Sequence, residues 1–158
     1  METPPLDMMV MLQKEVAQRM TAPADGEAYG SLSVRAQALY AVDIIKGVPP
    51  NVFFPRPDID SAVVRFKLRP QSMSFAERET LSQLSRVAFA HRRKKMFKQL
   101  ASVFGEDAVS KALAGASVAL DVRAEKVTVK QFVRMASILA TFKPQISKEV
   151  LVAIEEDI

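Results

Sequence analysis

The apolar periodicity of this 158-residue chain changes once, at Pro70, and that change bounds what it can fold into. Ahead of Pro70, short strand-like runs alternate with helical stretches. The continuous run Asp7–Leu12 predicts a buried strand, followed by a helix from about Lys14 to Met20. Thr21 to Gly30 holds Pro23 and Gly26 and reads as a loop, after which Ser33 is expected to cap a helix reaching about Tyr40. Val42–Val48, closed by Pro49-Pro50, is a second strand candidate. Ala62–Leu68 alternates Val64, Phe66 and Leu68 with Arg65 and Lys67, the period of a strand with one wet face.

Beyond Pro70 the spacing is helical. Pro70–Ser74 has the composition of a linker, and residues 75–90 place Leu81, Leu84 and Ala88 on one stripe. From Arg92 to Phe104, Met96, Phe97, Leu100, Val103 and Phe104 fall on one arc of a helical wheel, with Lys94, Lys95 and Lys98 opposite. Gly105 ends that helix and a short one follows to Gly115. Thr128-Val-Lys-Gln131 is a capping box, stapled by Val127 and Phe132, for a helix that buries Phe132, Met135, Ala136 and Leu139. The expected organisation is a mixed α/β segment over 1–69 and an all-helical one over 70–158.

Composition removes several kinds of chemistry. There is no cysteine and one histidine, His91, so thiol nucleophiles, Cys-ligated zinc, multi-His metal sites and a Ser-His-Asp triad away from His91 are excluded. His91 itself reads as a cap or a surface residue. No apolar run approaches the roughly 18 to 20 residues a membrane span needs, and no signal peptide opens the sequence. A cytoplasmic protein with no membrane partner is expected.

The charge is concentrated. Residues 1–69 hold eight basic and eight acidic side chains, whereas residues 70–148 hold fourteen against six, a net of +8. Within that, 86–98 carries Arg86, Arg92, Arg93, Lys94, Lys95 and Lys98 with no acid. Such unevenness points to a polyanion, although lysines also commonly cover the wet side of an amphipathic helix. Arg93 is angled towards the apolar side and reads as structural; the others are candidate phosphate contacts. Ser147–Ile158 is acidic and amphipathic, a candidate for docking on a protein.

Phe53-Phe-Pro-Arg-Pro57 is the other unusual feature. Two prolines one residue apart hold the backbone extended, so a neighbouring aromatic ring can serve as a stacking platform for a base. The plainer reading puts both phenylalanines in the core. Asp58 and Asp60 have the spacing of an acid/base pair, but in a Pro-rich turn they read as local backbone caps.

Three stretches then carry a resemblance: Tyr29-Gly-Ser-Leu-Ser-Val34; Val48-Pro-Pro-x-x-Phe53-x-Pro-x-Pro57-x-Ile-Asp60-Ser-Ala-Val-Val-Arg65; and Ala88-Phe-x-x-Arg92-Arg-Lys94. Together with Met11-Leu-Gln-Lys-Glu-Val16 and Arg123-x-Glu125, and in this order from about Asp7 to Leu139, the chain resembles the ribosomal RNA adenine dimethyltransferase family. The resemblance implies an S-adenosylmethionine-dependent enzyme that dimethylates N6 of adjacent adenines in small-subunit ribosomal RNA during ribosome biogenesis. It implies a Rossmann-like methyltransferase sheet followed by a small all-α domain, with the three strands here matching the last three of that sheet. It assigns Phe53 to stacking on the flipped adenine, since the exocyclic nitrogen is unreachable while the base is stacked and paired. The concentrated charge, and not the resemblance, singles out Arg86, Arg92, Lys94, Lys95 and Lys98 as the expected RNA contacts.

Two family motifs are missing. No pair among Gly26, Gly30, Gly47, Gly105 and Gly115 has the spacing of the Glu-x-Gly-x-Gly loop. Asn51, the only asparagine, is followed by Val-Phe-Phe and not by Leu-Pro-Tyr. The chain is therefore expected to be the C-terminal part of such an enzyme, an α+β fragment that binds no cofactor and is inactive alone. The alternative is a non-enzymatic RNA-binding or ribosome-assembly module built on the basic helix 92–104. A strand over 8–12 without its family neighbour is also expected to invite a homo-oligomer.

Overall fold

The computed structural model describes residues 4–70, 73–91 and 94–142, and these fall into two compact units that divide between Met73 and Ser74. Arg92, Arg93 and the acidic segment 147–158 lie outside the described residues.

The first unit is a three-stranded sheet with two helices on one face. Its strands are β1 (Asp7–Gln13), β2 (Tyr40–Val48) and β3 (Ser61–Leu68), in the order β1-β3-β2. Both outer strands run antiparallel to β3 and are therefore parallel to each other. The register sets Met8 opposite Phe66, Val10 opposite Val64 and Leu12 opposite Ala62, while Val42 and Ile44 face Phe66 and Val64 from the other side. Directly opposed residues share a face. That face carries α1 (Lys14–Thr21) and α2 (Ser31–Leu39). Ala17, Tyr40, Ala62, Val64 and Phe66 form the core between them, with Tyr40 and Phe66 edge to face at 5.9 Å.

Two expectations are corrected here. The run at β1 is a strand, but not a buried one: Met9 and Met11 are 64% and 52% exposed. A continuous apolar run suits a strand covered on both faces, and among the described residues only one face of β1 is covered. Ser33 is not the cap of α2. The helix begins two residues earlier, after Gly30, and the wholly buried Ser33 hydroxyl accepts from the Gly30 N–H at 3.1 Å and donates to the Arg19 carbonyl of α1. Gln37 adds two bonds from its amide to the Met20 and Ala22 carbonyls, at 2.9 and 2.7 Å, satisfying the open end of α1. The Tyr29–Val34 stretch thus locks α2 onto α1, with Tyr29 and Val34 fully buried.

The second unit is helical: α3 (Phe75–Phe89), α4 (Met96–Phe104), α5 (Glu106–Gly115) and α6 (Val129–Leu139). Ser74 and Thr128 start α3 and α6 with reciprocal capping boxes to Glu77 and Gln131. Gly105 joins α4 to α5 at φ +86°, a conformation that only glycine adopts cheaply. The core sets Leu84, Met96, Leu100, Leu113, Phe132 and Met135 out of contact with water.

Candidate nucleic-acid interface

The Phe53 segment hangs from the end of β2. Pro49 and Pro50 cannot donate to a ladder, so the strand stops and Pro50–Val52 makes a single 3₁₀ turn. The Val52 and Phe53 N–H groups close it on the Pro49 and Pro50 carbonyls at 3.4 and 3.2 Å. Phe53 itself is extended, but the expected extended run does not continue: the chain bends over Phe53–Pro55, where the Phe54–Pro55 peptide is cis. Phe53 turns partly inward and is half-buried; Phe54 is open to solvent. The expectation that both rings belong to the core is therefore overturned, because no helix or strand covers the outer side of this loop among the described residues.

The loop is fastened where it returns to the sheet. The Lys14 N–H donates to the Asp60 carbonyl at 2.9 Å, and the Lys14 ammonium reaches Asp60 Oδ2 at 3.2 Å. Asp60 thus ties the loop to the β1–α1 junction, a structural task and not one half of an acid/base pair. Asp58 stays exposed on an open cleft of about 390 Å³ that Gln13, Gln18 and Ile59 also line.

The basic residues belong to the second unit. Arg86 is half-buried on α3. Lys94, Lys95 and Lys98 are all exposed, but they do not share one helix. The helix predicted from Arg92 begins only at Met96; Lys94 lies in a turn whose N–H bonds the His91 carbonyl at 3.0 Å, and Lys95 is the residue before α4. The reason is electrostatic. Cations at a helix start face the positive end of its dipole, so Lys94 and Lys95 stay ahead of the first turn of α4. His91 is exposed there, as a surface residue. The turn is held by the Met96 N–H on the Val122 carbonyl at 3.3 Å and by Lys95, 3.8 Å from Asp121. Next in sequence to Val122 is the exposed Arg123, a cation the basic-run argument passed over, whose guanidinium lies 3.9 Å from Glu125. Lys130 and Arg134, exposed one turn apart on α6, were legible as an i, i+4 pair and also escaped it.

Among the described residues there is no cluster of three metal-ligating side chains, and no helix is long and apolar enough to cross a membrane.

The fold is that of ribosomal RNA methyltransferases. Over 82% of this chain it superposes on a dimethyladenosine transferase from Plasmodium falciparum with a TM-score of 0.67 at 19% identity, covering 55% of that protein. The 23S rRNA methyltransferase ErmE gives a TM-score of 0.57 at 21% identity over 84% of this chain and 54% of ErmE. Sequence narrows the class: the profile of ribosomal RNA adenine dimethylase matches residues 1–141, and the chain belongs to that family. The ribosomal RNA small subunit methyltransferase A of Synechocystis sp. is 36% identical over 137 residues, which is 87% of this chain and 48% of that protein. The protein of that name from Latilactobacillus sakei is 39% identical over 142 residues, which is 85% of this chain and 48% of the relative. The chain thus spans about half the length of the curated relatives it matches.

Proposed function

We propose that this chain supplies the target-base and RNA-docking half of an S-adenosylmethionine-dependent enzyme that dimethylates adenine N6 in small-subunit ribosomal RNA. The observation that carries the reading is the Phe53 loop: a family motif that forms a bent segment, fastened at Asp60, with a half-buried aromatic ring just beyond a sheet strand. The parallel relation of β1 and β2 on either side of β3 suits the last three strands of a Rossmann-like sheet. In this reading Phe53 stacks on the unstacked adenine, while Lys94, Lys95, Lys98, Arg86 and Arg92 contact phosphates in the cytoplasm.

The residues present do not fit the methyl donor. A nucleotide-type cofactor approaches backbone through paired glycines after a strand. Here a Cβ on Gly26 would lie 2.9 Å from the Pro23 carbonyl oxygen, Gly115 faces Ile138, and the other three glycines sit on separate elements. We therefore assign donor binding and the amino-group contacts to residues outside this chain, and expect the chain alone to transfer no methyl group.

The test is a tritiated methyl-transfer assay on unmethylated small subunits, with calorimetric titration of S-adenosylmethionine alongside. The chain alone should give neither transfer nor binding heat, and a polypeptide bearing Glu-x-Gly-x-Gly and Asn-Leu-Pro-Tyr, fused ahead of it, should restore both. Failure of that fusion, with RNA binding intact, would favour the second reading: a non-enzymatic RNA-binding module, to which the concentrated charge of 70–148 points.

A further inference from the structure

The helical unit carries its charge on two sides. α4 packs against α3 and α5, α6 packs against the same two helices, and α4 and α6 are not neighbours of each other. They therefore stand at opposite corners, and side chains turned away from the core on one point away from those on the other. On α4, Met96 and Leu100 are buried, and the exposed Lys98 lies on the far side of the helix from them. On α6, Phe132, Met135, Ala136 and Leu139 are buried, and the exposed Lys130 and Arg134 share the outward face, one turn apart.

Nothing local accounts for the α6 pair. The helix contains no acid, and among the described residues neither cation has a carboxylate partner. Lys130 stands in the first turn, at the positive end of the helix dipole, and Arg134 repels it from the i, i+4 position. The acids of this unit serve elsewhere. Glu77 closes the α3 capping box, Glu106 and Asp107 open α5, Asp121 reaches Lys95 and Glu125 reaches Arg123. Glu79, exposed on α3, pairs with neither. Two like charges kept where the helix disfavours them, on a wet face without an acid, suit an anion from outside.

From this we propose that α6 is a second phosphate-binding face, and that the helical unit holds two separate RNA segments at once. One lies at Lys94, Lys95 and Lys98, the other at Lys130 and Arg134. A single short duplex cannot serve both, because the core lies between the two faces. The i, i+4 spacing sets the α6 cations about 5 to 6 Å apart at Cβ, so both bear on one stretch of backbone. Contacts of this kind position a nucleic acid without reading its sequence. α6 thus fixes how one RNA segment lies against another, and leaves the choice of base to the other unit. The inference rests on the reading of the α4 cations as RNA contacts, and the test separates the two.

The whole chain is mixed with two short RNA hairpins, one bearing a donor dye and the other an acceptor. Neither loop holds an adenine, so the Phe53 reading is not engaged. Energy transfer should rise as chain is added, peak, and fall once chain is in excess and each copy carries a single hairpin. Light scattering at the peak should give one chain with two hairpins. Lys130→Gln/Arg134→Gln should abolish the transfer and leave one hairpin per chain. Both side chains are exposed, so the melting temperature should hold. Lys94→Ala/Lys95→Ala/Lys98→Ala should also abolish the transfer, leaving one hairpin on α6. A parent that gives no transfer at any ratio overturns the proposal. So does an α6 variant that still holds two hairpins, or a bridged species containing two chains. An α6 variant reduced to one hairpin, beside an α4 variant that keeps two, upholds the α6 face and removes the α4 assignment instead.

Discussion

Asp7 and Arg65 meet across the β1–β3 ladder in a two-pronged ion pair, the Arg65 Nε 3.0 and 3.2 Å from the two carboxylate oxygens and Nη2 on Oδ2. The register partner of Arg65 is Met9, so the guanidinium reaches the diagonal neighbour and spans two rungs of the ladder. The hydrogen bond from Arg65 is the main reason the Asp7 carboxyl is held below its usual value of 3.8. The sign follows: a carboxyl with a depressed folded value adds stability that is complete above its unfolded value and lost as pH falls through the folded one. We predict that Asp7→Asn is slightly less stable than the parent at pH 7, and that the difference closes below about pH 4 as the parent's carboxylate is protonated and its pairing with Arg65 is lost. Urea melts at several pH values check it, and parallel curves for both chains would refute the coupling.

Lys94 and Lys95 ahead of α4, and Lys98 in its first turn, should act through charge alone. Each phosphate contact contributes roughly 0.7 to 0.9 to the slope of log affinity against log salt. Lys94→Ala/Lys95→Ala/Lys98→Ala should weaken binding to structured RNA and flatten that slope by about two to three. All three side chains are exposed, so the melting temperature should hold. Fluorescence anisotropy across a salt series reads the slope. Equal slopes for variant and parent would make these residues a solvated surface.

Much of this architecture was legible in local chemistry. The alternation at Ala62–Leu68, the capping box at Thr128 and the stop at Gly105 each specify their element through nearest neighbours, and each element stands where its pattern put it. What was not legible depends on partners far along the chain. Ser33 looked like a cap because a serine before an apolar stripe commonly is one; its hydroxyl is instead claimed by Arg19, fourteen residues back. The start of α4 was misread because wheel geometry ignores the cost of cations such as Lys94 and Lys95 at a helix's positive end. Exposure at β1 was invisible because a run such as Met8–Leu12 records what a strand is suited to, not what covers it. At the candidate site, the Phe53 motif was readable and the fastening of its loop by Lys14 was not, since that bond joins residues 46 apart.

The helical unit should depend heavily on one aromatic pair. Phe132 is fully buried on α6 and lies 5.8 Å from Phe89 on α3, rings tilted by 30°. Phe132→Ala deletes a ring from a closed core and should cost about 3 to 5 kcal/mol. Phe132→Leu keeps most of the volume and should cost less. Ser74→Ala removes the hydroxyl that accepts the Glu77 N–H at 3.2 Å and should cost about 1 kcal/mol. Thermal melts rank the three; a Ser74→Ala chain less stable than Phe132→Ala would overturn that order.

Phe53 and Phe54 are adjacent, and only one of them is expected to serve the target base. Phe54 is the more exposed ring, yet nothing holds it over the protein surface. Phe53 is half-buried, and its N–H is fixed on the Pro50 carbonyl in a loop anchored at Asp60 by Lys14. A stacking platform contributes most when its orientation is set before the base arrives, because less freedom is lost on binding. Phe53→Ala should therefore weaken capture of an unstacked adenine by roughly 1 to 3 kcal/mol, while affinity for duplex RNA, carried by phosphate contacts in the other unit, stays level. Phe54→Ala should leave both unchanged. A short RNA with 2-aminopurine at an unpaired position gives the readout, since stacking on a ring quenches its fluorescence. Loss of quenching with Phe54→Ala and not with Phe53→Ala would transfer the assignment to the outer ring.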